Sequence, residues 1–184
     1  MTKVALRIFS IKLLKITYQI AKLINGKNPR AKTEERKMAN TSVIVIPEGK
    51  ICDYVDGKFR NDTPEEYVRQ TIEKRLVNEH KYLPKQIRIE YTLQLGSRKP
   101  RADIVIFDKD CGEQTQENIK IIIECKKEAV EARNAKDGVE QLKSYMSACP
   151  NCEWGMWTNG RQKEVYHKYV NDKGQIDFMD YNDI

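Results

Sequence analysis

The apolar positions of the chain change period several times, and each change marks an element. Val68, Ile72 and Leu76 recur at helical spacing behind Thr63-Pro64-Glu65-Glu66. Thr63 is a capping residue, Pro64 suits a first turn, and Glu66, three residues past the cap, completes a capping box. A helix is therefore predicted from here to near His80, ahead of Pro84. From Gln86 the period drops to two, with Ile87, Ile89 and Tyr91 alternating with Arg88 and Glu90. The loop LGSRKPR follows, and RADIVIF then predicts a second strand. After a polar turn at 108–118 comes IKIIIECKK, residues 119–127, an apolar run that ends in charge. Val139, Leu142, Met146 and Cys149 form one face of a helix over 136–149. Strands are predicted at Trp154–Thr158 and Lys163–Val170, joined by a two-residue Asn159-Gly160 turn that demands positive φ. The tail to Ile184 is polar and predicts no element.

Upstream of the first helix, residues 42–60 read as short strands with turns at 47–49 and at Asp56-Gly57, a hairpin signal. Residues 3–24 alternate apolar groups with lysines and predict a basic amphipathic helix. Such a helix docks on its own domain or a neighbour, or contacts a membrane surface or nucleic acid. Residues 25–40, with Gly26 and Pro29, read as a linker. The expected organisation is a basic N-terminal segment over 1–40 and one domain over 41–184.

Charge sharpens that division. Residues 1–32 carry eight basic residues and no acid; taking those eight from the net +6 leaves −2 for residues 33–184. Attraction to nucleic acid must then come from the N-terminal segment or from local patches. The five cysteines are odd in number and irregularly spaced, which points to reduced thiols and a cytoplasmic protein. No small-residue cleavage site follows the first helix, and no apolar run approaches the roughly 18 residues of a membrane span.

The candidate chemistry sits where IKIIIECKK ends. Alternation along a strand puts Glu124 and Lys126 on one face and Cys125 on the other. Asp103 lies near the start of the neighbouring apolar strand. Two carboxylates and a lysine on adjacent strands suit a metal-dependent phosphodiesterase: Asp103 and Glu124 would hold one Mg²⁺ (Mn²⁺ a possible substitute), helped by the backbone carbonyl of Cys125. Lys126 would orient the attacking water and stabilise developing charge. The competing reading is a surface salt bridge at a strand end. Arg98, Lys99 and Arg101, on the loop before the Asp103 strand, and Arg161, past the Asn-Gly turn, are candidate phosphate contacts.

RADIVIF followed by IIIECKK resembles the PD-(D/E)XK nuclease superfamily, with Asp103, Glu124 and Lys126 at the signature positions. Ala102 stands where the name-giving proline would be, and Pro100 lies three residues upstream of Asp103. TPEEYVRQ, IRIEY, GVEQLKSYM and WTNG extend the likeness to the N-terminal nuclease domain of type I restriction enzyme R subunits, over roughly residues 50–167. The resemblance implies a restriction-endonuclease-like α/β core, a central mixed β-sheet flanked by helices in α-β-β-β-α-β order. It also implies Mg²⁺-dependent cleavage of DNA in a restriction or defence system. It brings a helix carboxylate of TPEEYVRQ near the metal, Glu66 in preference to Glu65. It marks Glu90 as either a partner of the site or a structural ion pair. Gln141 and Tyr145, one turn apart, match a QxxxY element beside the catalytic strands, although Tyr145 also suits plain boundary packing.

The partners implied are DNA and, within such a system, methylase, specificity or motor subunits; the oligomeric state is not readable. No GxxxxGK[ST] occurs, so no ATP-driven motor is expected on this chain. Two alternatives stand beside the nuclease. One is a catalytically silent module docking DNA or subunits, and the other is a defence nuclease acting on RNA. Cys149-Pro150-Asn151-Cys152 has the spacing of half a zinc site but lacks a second half. His80 and His167 belong to no nucleophile–base set.

Overall fold

The computed structural model describes residues 45–181. The expected helix at 3–24, the linker and the boundary at 40/41 lie outside the described residues. The chain divides into two units, Met1–Val45 and Ile46–Ile184, and every element below belongs to the second.

Strands β1 (Lys50–Cys52) and β2 (Phe59–Asn61) form a separate antiparallel hairpin, followed by helix α1 (Pro64–Asn78). Six further strands make one sheet in chain order: β3 (Ile87–Thr92), β4 (Arg101–Phe107), β5 (Ile119–Cys125), β6 (Trp154–Thr158), β7 (Lys163–Val170) and β8 (Ile176–Asp180). Neighbours are antiparallel except β5 and β6, which run parallel because helix α2 (Val139–Ala148) carries the chain back between them. The sheet is mixed, as expected. No helix among the described residues is long and apolar enough to cross a membrane.

Two apolar layers sandwich the sheet. Under α1, Ile72 and Leu76 pack on Ile104, Ile106 and Ile123. Under α2, Leu142, Tyr145 and Met146 pack on Val105, Phe107, Ile122 and the fully buried Trp157. Alternation along β4 and β5 feeds both layers, which is why these strands read as nearly continuous apolar runs. The face that α1 turns inward is not apolar throughout. Glu66, Arg69, Gln70 and Glu73 are buried on it beside Ile72 and Leu76.

Several expectations need correcting. Glu66 gives only its N–H to Thr63 Oγ1, at 3.2 Å; its carboxylate turns to Arg69 and Gln70, so the reciprocal half of the capping box is replaced by bonds along the helix. The Asp56-Gly57 signal does mark a hairpin, but the loop between β1 and β2 runs from Asp53 to Lys58, with Gly57 at φ +71°. The Asn159-Gly160 turn is likewise longer, because the last β6–β7 pair is Thr158 with Lys163. Gly160 alone takes positive φ there, at +89°. Strand β8 was hidden in the polar tail: it lies at the sheet edge with most side chains exposed, so its sequence lacks apolar alternation.

Gly138 caps α2 where the loop folds under the helix, with Gly138 N donating to Asn134 O at 3.0 Å and Val139 N to Ala132 O at 2.9 Å. A Cβ here would collide with the backbone carbonyls of Ala132 and Asn134. Gly138→Ala is expected to cost about 1–3 kcal/mol, read as a lowered urea midpoint. An unchanged midpoint would show that the loop yields freely.

Candidate active site

Asp103, Glu124 and Lys126 meet where β4 begins and β5 ends. Antiparallel register brings Ile104 opposite Ile123, so Asp103 and Glu124 are adjacent across the ladder. They lock each other through the backbone: Cys125 N donates to Asp103 Oδ2 at 2.8 Å, and Asp103 N donates to Glu124 Oε1 at 3.2 Å. Lys126 extends the parallel ladder, its N–H donating to Thr158 O at 2.8 Å, and its ammonium meets Glu124 Oε2 at 3.1 Å. Cys125 points into the layer beneath α1. The alternation expected from sequence is thus observed, and the surface salt-bridge alternative is not: Glu124 is 1% exposed and Lys126 8%.

Burial sets the electrostatics. Loss of solvent, and then the neighbouring Asp103, push Glu124 up to about 8. Burial also raises Asp103, partly offset by Lys126. Burial alone would pull the Lys126 amine down; Glu124 and Asp103 outweigh it and hold the amine above its ordinary value, so it stays charged. The carboxylate pair therefore retains a proton near neutrality while the lysine is cationic, because one ammonium does not offset two carboxylates out of water.

A cleft of about 330 Å³ opens over Asp103 and Lys126, walled by the N-terminal turn of α1 and by β2. Glu66, in the wall, is engaged by Arg69 and by Gln70 Nε2 at 2.9 Å. Glu65 is also in the wall, and its charge acts on both Asp103 and Lys126. Gln70 fastens the hairpin to the helix by accepting from Tyr54 N at 3.0 Å. Among the described residues, no three or more His, Cys, Asp or Glu side chains are grouped to hold a metal ion by themselves.

The remaining candidates separate. Gln141 Nε2 donates to Tyr145 Oη at 2.7 Å, as their spacing implied. Tyr145 is raised by burial and feels the charges of Glu124, Lys126 and Asp103, which puts the pair beside the site. Arg101 lines the cleft and stands 3.5 Å from Glu90. Arg98 and Lys99 are exposed in the β3–β4 turn and Arg161 pairs with Glu128; none of the three lines the cleft. Asn159 makes four side-chain bonds, to Glu128 O, Val130 O, Arg161 N and Gln162 N, so TNG braces the loop after β5. Cys149 and Cys152 are buried thiols that burial pushes up to about 11 and about 12.

Sequence reasoning missed Arg60, Arg69 and Glu73. Arg69 Nη1 lies 3.8 Å from Asp103 Oδ1 and 3.5 Å from Glu90 Oε1. The available signal was Glu66, Arg69, Gln70 and Glu73 repeating at helical spacing, a polar stripe alongside the apolar one.

These features define an α/β domain with a buried acid–acid–lysine cluster at the floor of a polar cleft. A family model described as type I restriction enzyme R protein N terminus matches residues 64–184, and the chain belongs to that family. No curated protein and no solved structure shows a significant match. The matched region begins at α1 and takes in every strand of the six-stranded sheet.

Proposed function

We propose that the chain is a Mg²⁺-dependent endonuclease domain of a restriction system, built on a restriction-endonuclease-like core, cutting DNA phosphodiester bonds in the cytoplasm. The observation that carries this reading is the Asp103–Glu124–Lys126 cluster, with Glu124 and Lys126 buried and Asp103 half-buried, under an open polar cleft. Two adjoining carboxylates that burial makes reluctant to ionise favour a cation, and hard oxygen donors suit Mg²⁺, with Mn²⁺ as a substitute. Mg²⁺ commonly takes one or two carboxylates and keeps several waters, so a set of Asp103, Glu124 and the Cys125 carbonyl is sufficient. The helix carboxylate joining them is Glu65 or Glu66. The reach of Glu65 to Asp103 and Lys126 favours Glu65, since Glu66 is committed to Arg69 and Gln70.

When bound, the metal supplies charge neutralisation at the phosphate and a more acidic water. Lys126, held protonated, acts as a fixed positive charge that orients the nucleophile and faces the developing negative charge, not as a base. Gln141 and Tyr145 form a hydrogen-bonded unit that steadies the groups beside the floor. DNA and the other subunits of a restriction complex are the partners.

A silent docking module remains the second reading. It is favoured by the balance of the cleft, whose four cations (Arg60, Arg69, Arg101, Lys126) face four carboxylates (Glu65, Glu66, Glu90, Asp103). Incubation with plasmid DNA separates the two: nicking with Mg²⁺ and none with EDTA is expected. Asp103→Ala is expected to lose both cutting and the heat of Mn²⁺ binding in calorimetry. Equal Mn²⁺ affinity in the variant would remove Asp103 from the ligands, and a wild type that never cuts, even beside restriction subunits, would leave the docking reading.

A further inference from the structure

Glu90 is set apart by its backbone. It takes φ +53° in the middle of β3, where a non-glycine residue is strained. The β3–β4 ladder pairs Ile89 with Ile104 and Tyr91 with Ala102 but leaves Glu90 and Asp103, which lie between, unpaired. The Glu90 side chain lines the cleft, where three arginines from three elements stand around it.

Arg60 of β2 places Nε 3.9 Å from Oε2, Arg101 of β4 places Nη1 3.5 Å from Oε2, and Arg69 of α1 places Nη1 3.5 Å from Oε1. All three separations exceed the roughly 2.7–2.9 Å of a fitted charge-assisted hydrogen bond. The Glu90 carboxylate, approached by three guanidiniums from different elements, closes on none of them. The Arg60 atom that faces Glu90, Nε, is buried without a hydrogen-bond partner, which marks the cradle as underfilled. Asp53 and Asp56 grip Arg60 at 2.7 and 2.8 Å, so that arginine is anchored whether or not Glu90 is beside it.

We infer that Arg60, Arg69 and Arg101 form a DNA phosphate-binding subsite that Glu90 occupies in the free protein as an internal stand-in. A phosphate diester offers two anionic oxygens and two bridging ones in a tetrahedral arrangement, which suits a three-sided guanidinium cradle better than a flat carboxylate. Lys126 and Asp103 line the same cleft, so a phosphate in this cradle sits beside the acid–acid–lysine floor and its neighbour along the strand can reach it. The choice of DNA rests on the nuclease reading above; the cradle itself does not. Displacing Glu90 converts the balanced cleft into a net positive one, so the free protein holds itself in a weak-binding state until DNA competes.

The test is binding, not cutting: fluorescence anisotropy of a short labelled DNA duplex with the full chain in EDTA. Glu90→Gln is expected to tighten binding roughly tenfold by removing a like charge from the phosphate's place. Arg101→Ala, at a mostly exposed side chain, is expected to abolish that gain in the Glu90→Gln background and to lower the salt slope by about one. Glu117→Gln, an equal charge change beyond the opposite end of β5, is expected to leave affinity within about twofold. The inference is overturned if Glu90→Gln binds no tighter than the wild type, if Arg101→Ala leaves the gain intact, or if Glu117→Gln gains as much. Because no cleavage is measured, tighter binding by Glu90→Gln without any Mg²⁺-dependent cutting would sink the nuclease reading and leave the cradle standing.

Discussion

Lys126→Ala is expected to lower Mg²⁺-dependent DNA cleavage by roughly 10²–10³-fold, the scale set by losing one fixed charge at a reacting phosphate. The position of Lys126 is backbone-determined through its N–H bond to Thr158 O, so truncating the side chain leaves the strand end in place. What disappears is the ammonium 3.1 Å from Glu124. Without it, Glu124 and Asp103 lose their one favourable lysine neighbour and hold a proton more firmly. Cleavage falls far more than DNA binding in EDTA does, and that split separates a role in chemistry from one in binding. Single-turnover rates on plasmid DNA, with far-ultraviolet circular dichroism as the control for folding, provide the measurement. A folded variant that cuts at the wild-type rate would remove Lys126 from the mechanism.

The second large effect concerns stability. Glu73 is fully buried on α1, both carboxylate oxygens lack hydrogen-bond partners, and the nearest cation, Arg69 Nε, is 3.9 Å away. Burial, then the nearby Asp53 charge, push it up to about 8 from an ordinary 4.5. A carboxyl raised on folding binds its proton more tightly in the folded state. Its contribution is fully present below the unfolded pKa and is lost as pH climbs through the folded one. The shift corresponds to roughly 5 kcal/mol between about pH 4 and about pH 9. Glu124, also raised to about 8, adds loss of the same sign over the same window. Urea melts of wild type and Glu73→Gln near pH 5 and near pH 9 test the Glu73 share. The variant is expected to match the wild type at the acid end and to be more stable by several kcal/mol at the alkaline end. Parallel pH profiles for the two proteins would mean that Glu73 is ionised and solvated at neutral pH.

Both predictions turn on polar groups held away from water, and they divide what is legible in a sequence from what is not. The alternation in IKIIIECKK placed Glu124 and Lys126 together and turned Cys125 into the opposite layer, because a strand has period two whatever surrounds it. The same local rule found Gln141 against Tyr145, one helical turn apart. The exposed edge strand β8 escaped notice because it has no buried face to write a pattern.

The order of elements from α1 to β7 and the acid–acid–lysine floor were legible in the residues alone, since each follows from periodicity within one segment or from two apolar strands in succession, whereas the mixed sheet was implied by the family resemblance. The wall of the cleft depended on folding. Arg60, Arg69 and Arg101 come from a hairpin, a helix and a strand, and nothing local brings them to Glu90. Folding also sets Glu66 on Arg69 and Gln70 rather than on the cap, and buries Glu73 without a hydrogen-bond partner. Local spacing fixes which side chains share a face. What a charged group costs or attracts depends on which other charges, from distant segments, are shut out of water with it.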